Sequence, residues 1–385
     1  MKLLLITRNF PPLLGGMERL NRHLAEQLAA RGEVTVVGPA GIAAHAPDGV
    51  RVIEAGRGAL WRFLSGALWQ GLRSARRFSP DVVLAGSGLT APMAWLAARA
   101  SGARAAVYLH GLDVTVGHPL YRLVWHPFLR RMDRVVVNSS ATCGLAEGIG
   151  IAPERIRIIP PGVALPEPID ETERLHLRRM CRQRHGIGEG PVLLSVGRLT
   201  SRKGLLEFVR DVLPLIADKW PHVQLVIVGD PPDDALAARA QTPRQIREAA
   251  HRAGVEDRLH FLGRIDDEEL ESVYLMADIH VFPVQEIPGD PEGFGMVAIE
   301  AAAHGLPTVA YAAGGVVDAV ADGVSGRLVP PGDSAGFADR VIELLQRPLP
   351  IEPMLAFAAG FSWPAFGDRL AAALGLESME SGIMD

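Results

Sequence analysis

Residues 192–205 read Val192-Leu193-Leu194-Ser195-Val196-Gly197-Arg198-Leu199-Thr200-Ser201-Arg202-Lys203-Gly204-Leu205. A short, nearly continuous Val/Leu run without polar alternation is the pattern of a strand buried on both faces of a parallel sheet. A turn rich in small and charged residues ends the run, and a helical pattern opens near Leu205, so the segment is one strand-loop-helix step. The step recurs along the chain. Gln224–Val228, Leu259–Leu262, Ile279–Phe282 and Thr308–Tyr311 predict further strands on this side, and Lys2–Ile6, Val34–Val37, Val82–Leu84, Ala105–Leu109 and Arg134–Val137 predict strands in the first half. Met17–Arg31, with Leu20, Leu24 and Leu28 on one stripe and Gly32 as its stop, predicts a crossover helix. The expected fold class is α/β, with two doubly wound Rossmann-like domains facing across a cleft. In such sheets ligands bind beyond the carboxyl ends of the strands, so the chemistry belongs in the loops that follow them.

The 385 residues suffice for about two domains with full cores. The alternation breaks at the proline-rich passage 160–168, and a charged helix is expected over Glu171–His185. The predicted division is residues 1–165, a linker with an exposed helix over 166–189, and a second domain over 190–360. A hydrophobic fraction of 48% excludes a disordered chain. The only cysteines are Cys143 and Cys181, with no metal-ligand spacing, so neither a disulfide scaffold nor a structural zinc site is expected. The apolar run Leu3–Ile6 is too short for a signal peptide, and no stretch reaches the roughly 20 apolar residues of a membrane span. A cytoplasmic protein, soluble or peripheral, is the expectation. The net charge of −5 hides an asymmetry: residues 1–165 carry a basic excess and the remainder an acidic one. An anionic surface or ligand is therefore favoured near the first half.

Three loops carry candidate chemistry. After the first strand, Gly15-Gly16 opens the first helix, where backbone N–H groups and the helix dipole suit a phosphate; an ordinary tight turn, with Glu18 complementing the dipole, reads equally well. In the 197–204 loop, Arg198 and Lys203 bracket a turn and can converge on a diphosphate. The chain holds only three lysines, so Lys203 is not generic surface charge and reads as a compact phosphate ligand. Glu292-Gly293-Phe294-Gly295 then precedes a helix containing Glu300. That helix is apolar nearly all round, so the Glu300 carboxylate requires a partner, and it can accept both hydroxyls of a ribose.

Taken together with His110-Gly111-Leu112-Asp113, Val137-Asn138-Ser139-Ser140 and Gly314-Gly315, these residues resemble, in their order along essentially the whole chain, the GT-B glycosyltransferases of family 4, which are retaining nucleotide-sugar enzymes. The resemblance implies that Arg198 and Lys203 hold the donor diphosphate and that Glu300 binds the ribose. It implies that Glu292, with Gly293 and the amides of Phe294 and Gly295, meets the donor sugar. Gly229 would line the donor site, Arg264 and Ile265 would read the base, and His110 would lie beside the transferred sugar. It further implies that the segment 361–385 crosses back onto the first domain, so that the cleft closes by hinge motion.

No two aspartates stand two residues apart, so a DxD metal motif is absent and no cofactor or metal is expected: Arg198, Lys203 and backbone amides would activate the donor. The sequence does not separate UDP- from GDP-sugars. Acceptor binding is assigned to the first domain. There Trp61–Phe78 combines Trp61 and Trp69 with Arg62, Arg73, Arg76 and Arg77 and no acid, and Pro119–Arg134 adds Tyr121, Trp125 and Phe128 among four arginines. Such helices suit an anionic membrane interface and a lipid-linked or cell-envelope glycan acceptor, although Leu64, Leu68 and Leu72 also read as a core stripe. Glu18 belongs with these acceptor-side candidates. A nucleotide-sugar 2-epimerase, a non-catalytic nucleotide-sugar-binding protein and a soluble acceptor are the competing readings, and no nucleic-acid-binding module is present.

Overall fold

The structure is a computed structural model that describes residues 1–13, 15–56, 58–232 and 240–376. The chain divides into two units, Met1–Gly162 with the C-terminal segment from Trp363, and Val163–Ser362. Residues 377–385 of the segment expected to rejoin the first domain lie outside the described residues.

Among the described residues the first unit holds seven strands: β1 (Lys2–Ile6), β2 (Glu33–Gly38), β3 (Val50–Glu54), β4 (Val82–Ala85), β5 (Arg104–Leu109), β6 (Arg134–Val137) and β7 (Ile156–Ile158). They form one parallel sheet in the order β3-β2-β1-β4-β5-β6-β7. The central strands are fully buried, as their unbroken apolar runs require. Helices cover the sheet. Leu20, Leu24 and Leu28 bury one stripe of the helix Gly16–Ala29. The last helix, Trp363–Ala373, docks beside it: the Trp363 ring stacks on His23 at 4.1 Å, Phe366 lies 6.3 Å from Tyr108, and Arg31 Nη2 pairs with Asp368 Oδ1 at 2.5 Å.

The second unit holds β8 (Val192–Val196), β9 (Gln224–Val228), β10 (Leu259–Gly263), β11 (Ile279–Phe282), β12 (Thr308–Tyr311) and β13 (Gly326–Val329). This parallel sheet runs β10-β9-β8-β11-β12-β13. Segment 166–189, set apart above as a linker, belongs to this unit. Its helix Glu171–Arg184 shows solvent one face but is anchored by the other: Arg178 and Arg182 grip Asp278 at 2.5 and 3.0 Å, Arg174 donates to the His304 carbonyl, and Cys181 is buried. Among the described residues no helix is long and apolar enough to cross a membrane.

Candidate active site

In the second unit the chemistry gathers where the sheet's strands end. The carbonyls of Val228 and Gly263 accept from the amides of Gly197 and Gly229 at 3.0 and 2.7 Å, tying the ends of β8, β9 and β10 together. Gly229 adopts φ +122°, and a Cβ there would run into the Gly197 carbonyl, so this close approach of two loops demands glycine. Beyond Gly197 the chain makes a short 3₁₀ turn, Ser201–Lys203, before the helix Leu205–Asp211.

That turn sets Lys203 and Arg202 inward and Arg198 outward. Lys203 Nζ lies 2.9 Å from Glu292 Oε2 and 4.6 Å from the centre of the Phe282 ring, while Arg198 is exposed. Burial lowers the Lys203 pKa, against the raising pull of Glu292. Burial alone would raise the Glu292 pKa, but the adjacent Lys203 and Arg202 cations hold it below the usual glutamate value, so Glu292 is ionised at neutral pH. Lys203 and Glu292, assigned from the sequence to the diphosphate and to the sugar, pair directly in the structure, which adds Arg202 as a second cation on the same carboxylate.

The Glu292–Gly295 loop is braced by the Gly314-Gly315 turn. The Gly315 amide donates to the Glu292 carbonyl at 2.9 Å, and a Cβ on Gly315 would strike the Gly293 carbonyl. Phe294 buries its ring in the core, leaving only its backbone for a ligand, and Gly295 caps the helix Met296–Ala303. On that helix Glu300 is 8% exposed and accepts from the Tyr274 hydroxyl at 3.1 Å. Tyr274 stacks on His304, whose Nδ1 donates to the Glu300 carbonyl oxygen at 2.8 Å. Tyr274 is therefore a partner of the kind a buried carboxylate needs, and no sequence motif announces it. Arg264 is exposed near Asp230, 3.8 Å away, and Ile265 packs partly buried against the core.

In the first unit His110 ends β5, 8% exposed, with Nε2 2.9 Å from the Gly86 carbonyl. A carbonyl only accepts, so Nε2 is the nitrogen that donates in this contact, and Nδ1 is the other ring nitrogen. Gly15 precedes the helix that Gly16 opens. Glu18, an acceptor-side candidate, is 8% exposed, folded back toward Gly15, and accepts from Asn9 Nδ2 at 2.8 Å, which ties the loop to the helix.

The helix Leu60–Phe78 shows both predicted faces. Phe63, Ala67, Gly71 and Ala75 are buried, with Leu64 and Leu68 packed on the same core. Trp61 and Trp69 are 65% and 57% exposed, and Arg62 and Arg73 lie over their rings at 5.2 and 5.3 Å; Arg76 and Arg77 are also exposed. The aromatics of the helix Pro119–Leu129 are half-buried. Tyr121 and Trp125 stack on each other and donate to the carbonyls of Asp113 and Leu89, while Phe128 packs on Trp95. The apolar groups the helix exposes are Leu120, Leu123 and Val124.

Residues 14–166 match the family described as Glycosyltransferase Family 4, and residues 190–347 match Glycosyl transferases group 1. The D-inositol 3-phosphate glycosyltransferase of Geodermatophilus obscurus is 37% identical over 252 residues, 63% of this chain and 52% of that protein; the chain spans about half the length of this and several other relatives. The GDP-mannose-dependent alpha-(1-6)-phosphatidylinositol monomannoside mannosyltransferase of Mycobacterium tuberculosis is 31% identical over 365 residues, 89% of both chains. Anabaena HepE, solved with UDP and glucose, superposes with a TM-score of 0.77 at 22% identity over 97% of this chain and 99% of its own. Sucrose-phosphate synthase from Thermosynechococcus elongatus gives 0.75 at 23% identity over 96% and 97%. The structural likenesses carry the GT-B fold, and the sequence matches, running through both units, carry the family: the chain belongs to the glycosyltransferases of family 4.

Proposed function

We propose that the chain transfers a hexosyl group from a UDP- or GDP-sugar to an acceptor hydroxyl, with retention of anomeric configuration and without a metal ion or cofactor. The observation that carries this reading is the Lys203–Glu292 pair at 2.9 Å, seated at the strand ends on glycine-braced loops with exposed Arg198 on the same turn. A diphosphate would draw Arg198 and Lys203, the backbone of Gly293–Gly295 would meet the sugar, and Glu300, oriented by Tyr274, would accept the ribose hydroxyls. In the reaction the bond from the anomeric carbon to the β-phosphate oxygen breaks, and the acceptor oxygen bonds to that carbon on the same face. The departing β-phosphate takes the acceptor's proton. Arg198 and Lys203 stabilise the charge that develops on the leaving group.

Acceptor recognition belongs to the first unit, with His110 Nδ1 available to a sugar hydroxyl. The acceptor is a lipid-linked or cell-envelope glycan, met at the cytoplasmic face of a membrane through Trp61, Trp69, Arg73, Arg76 and Arg77. The relative named for a phosphatidylinositol mannoside supports this choice, as does the exposed Trp/Arg face. The test is a thermal-shift screen of UDP- and GDP-hexoses, then incubation of the stabilising donor with and without phosphatidylinositol mannoside and inositol phosphate. Product requiring an acceptor supports transfer. Turnover of donor alone to its epimer, or donor binding without product across the acceptor panel, refutes it. Co-sedimentation with anionic but not neutral vesicles at low salt, lost in W61A/W69A, checks the membrane contact.

A further inference from the structure

Arg202 is the least expected member of the cluster. It is 7% exposed, yet its side chain is charged and makes three contacts, all to the short segment Asp290–Glu292. Nη1 lies 3.2 Å from Asp290 Oδ1 and donates to the Pro291 carbonyl at 2.8 Å, and Nε lies 3.4 Å from Glu292 Oε2. Its own carbonyl accepts from the Gln285 amide at 2.8 Å. One residue therefore clasps both ends of the loop 285–292. The four groups set two cations, Arg202 and Lys203, against two carboxylates, Asp290 and Glu292, with the Arg198 charge acting on the pair from farther off, and both near cations address the same Glu292 oxygen.

That sharing has a consequence for a bound diphosphate. Lys203 cannot give its full charge to a phosphate while it is the sole counter-ion of a buried carboxylate, because Glu292 would then sit unneutralised beside a second anion. Resting on the donor site proposed above, we infer that Arg202 is a positioning residue: it holds Glu292 as an ionised, fixed carboxylate and so releases Lys203 to the donor diphosphate. Asp290 balances the rest of the Arg202 charge and sets the shape of the loop that borders the sugar.

The inference is tested with the sugar-free nucleoside diphosphate of the preferred donor, titrated calorimetrically into wild type, R202Q, E292Q and the double variant R202Q/E292Q. R202Q is expected to weaken binding roughly 10-fold or more, the scale of losing one partner in a buried charge pair. The double variant is expected to bind as E292Q does, because the charge that competes for Lys203 has gone. Wild-type-like affinity in R202Q overturns the inference while leaving the donor site standing. Weak binding in R202Q that removal of Glu292 does not rescue also overturns it, since Arg202 would then act only as a structural clasp. Absence of binding to wild type refutes the donor site itself. A urea melt of each variant confirms that the compared proteins are folded.

Discussion

Replacing Lys203 with Met removes the ammonium and keeps an unbranched stem over the Phe282 ring, so it isolates charge from packing. At 2.9 Å the attraction to Glu292 is roughly 6 kcal/mol for an effective dielectric of about 20. Desolvation of the ammonium offsets much of it, and Arg202 stays 3.4 Å from the same carboxylate oxygen to neutralise what remains. The net loss of stability is expected to be only about 1–2 kcal/mol, which for a unit of this size moves its thermal transition down by about 2–8 °C. The kinetic effect is larger. Losing one fixed charge at the departing diphosphate, by analogy with a lost oxyanion donor, costs about 10²-fold or more in kcat. Steady-state kinetics at saturating donor, with calorimetric melting of the same samples, separate the two. Near-normal turnover in K203M would refute the assignment of Lys203 to the leaving group. A melting shift far larger than that range would show that Arg202 does not neutralise Glu292.

Three further expectations follow from single contacts. His280 is fully buried, and burial, reinforced by the Lys203 charge, lowers its pKa from the usual 6.5 to about 3. Because the folded state resists its protonation, the stability it contributes is present above pH 6.5 and is lost at up to about 1.4 kcal/mol per pH unit as pH falls toward 3; H280Q should flatten that slope in urea melts between pH 6.5 and 4.5, and an unchanged slope counts against the neutral buried imidazole. Y274F removes the hydroxyl 3.1 Å from Glu300 Oε2 and should cost about 1–3 kcal/mol of hydrogen bonding to a charged group. The donor KM should rise and the preference for the donor over its 2′-deoxy analogue should shrink, and retention of both would separate Glu300 from the ribose. G315A introduces no backbone strain, but its methyl group meets the Gly293 carbonyl, so turnover should fall at least about 10-fold. G188A, whose methyl group meets nothing within 4 Å, is the matched control, expected within about 0.5 kcal/mol of wild type.

The strands missed from the sequence share one physical feature, although one edge strand, β10, was legible from its apolar run. Lys2–Ile6 and Val192–Val196 lie inside their sheets, buried on both faces, and betray themselves as unbroken apolar runs. The missed strands β3, β7 and β13 are all edges. Val50-Arg51-Val52-Ile53-Glu54 alternates with charge, Ile156-Arg157-Ile158 is three residues long and half solvated, and Gly326-Arg327-Leu328-Val329 opens on a glycine. The candidate site divides in the same way. Lys203 was legible because lysine is rare here and stands in a turn after a buried strand. Arg202, beside it, was not, because its meaning lies in Asp290 and Glu292, almost ninety residues away. Tyr274 lay hidden in a helix as one more aromatic, and its contact with Glu300 is made in three dimensions, not in the sequence. The burial of Glu18 was likewise not legible, because it depends on Asn9, whose side chain turns it inward.

The path of the chain imposes an order on its own manufacture. The polypeptide leaves the first unit at Gly162 and returns only at Trp363, and the two crossings are clasped side by side where the Val163 amide donates to the Phe361 carbonyl at 2.8 Å. During vectorial synthesis the second unit is therefore complete before Trp363, Phe366 and Leu370 leave the ribosome to bury themselves in the first. Until they do, the nascent first unit waits with the flank of Gly16–Ala29 uncovered and the His23 ring unstacked. Truncation before Trp363 should thus leave a well-formed second unit attached to an aggregation-prone first one, so that the last helix acts as the closing step of folding for the half of the protein that is translated first.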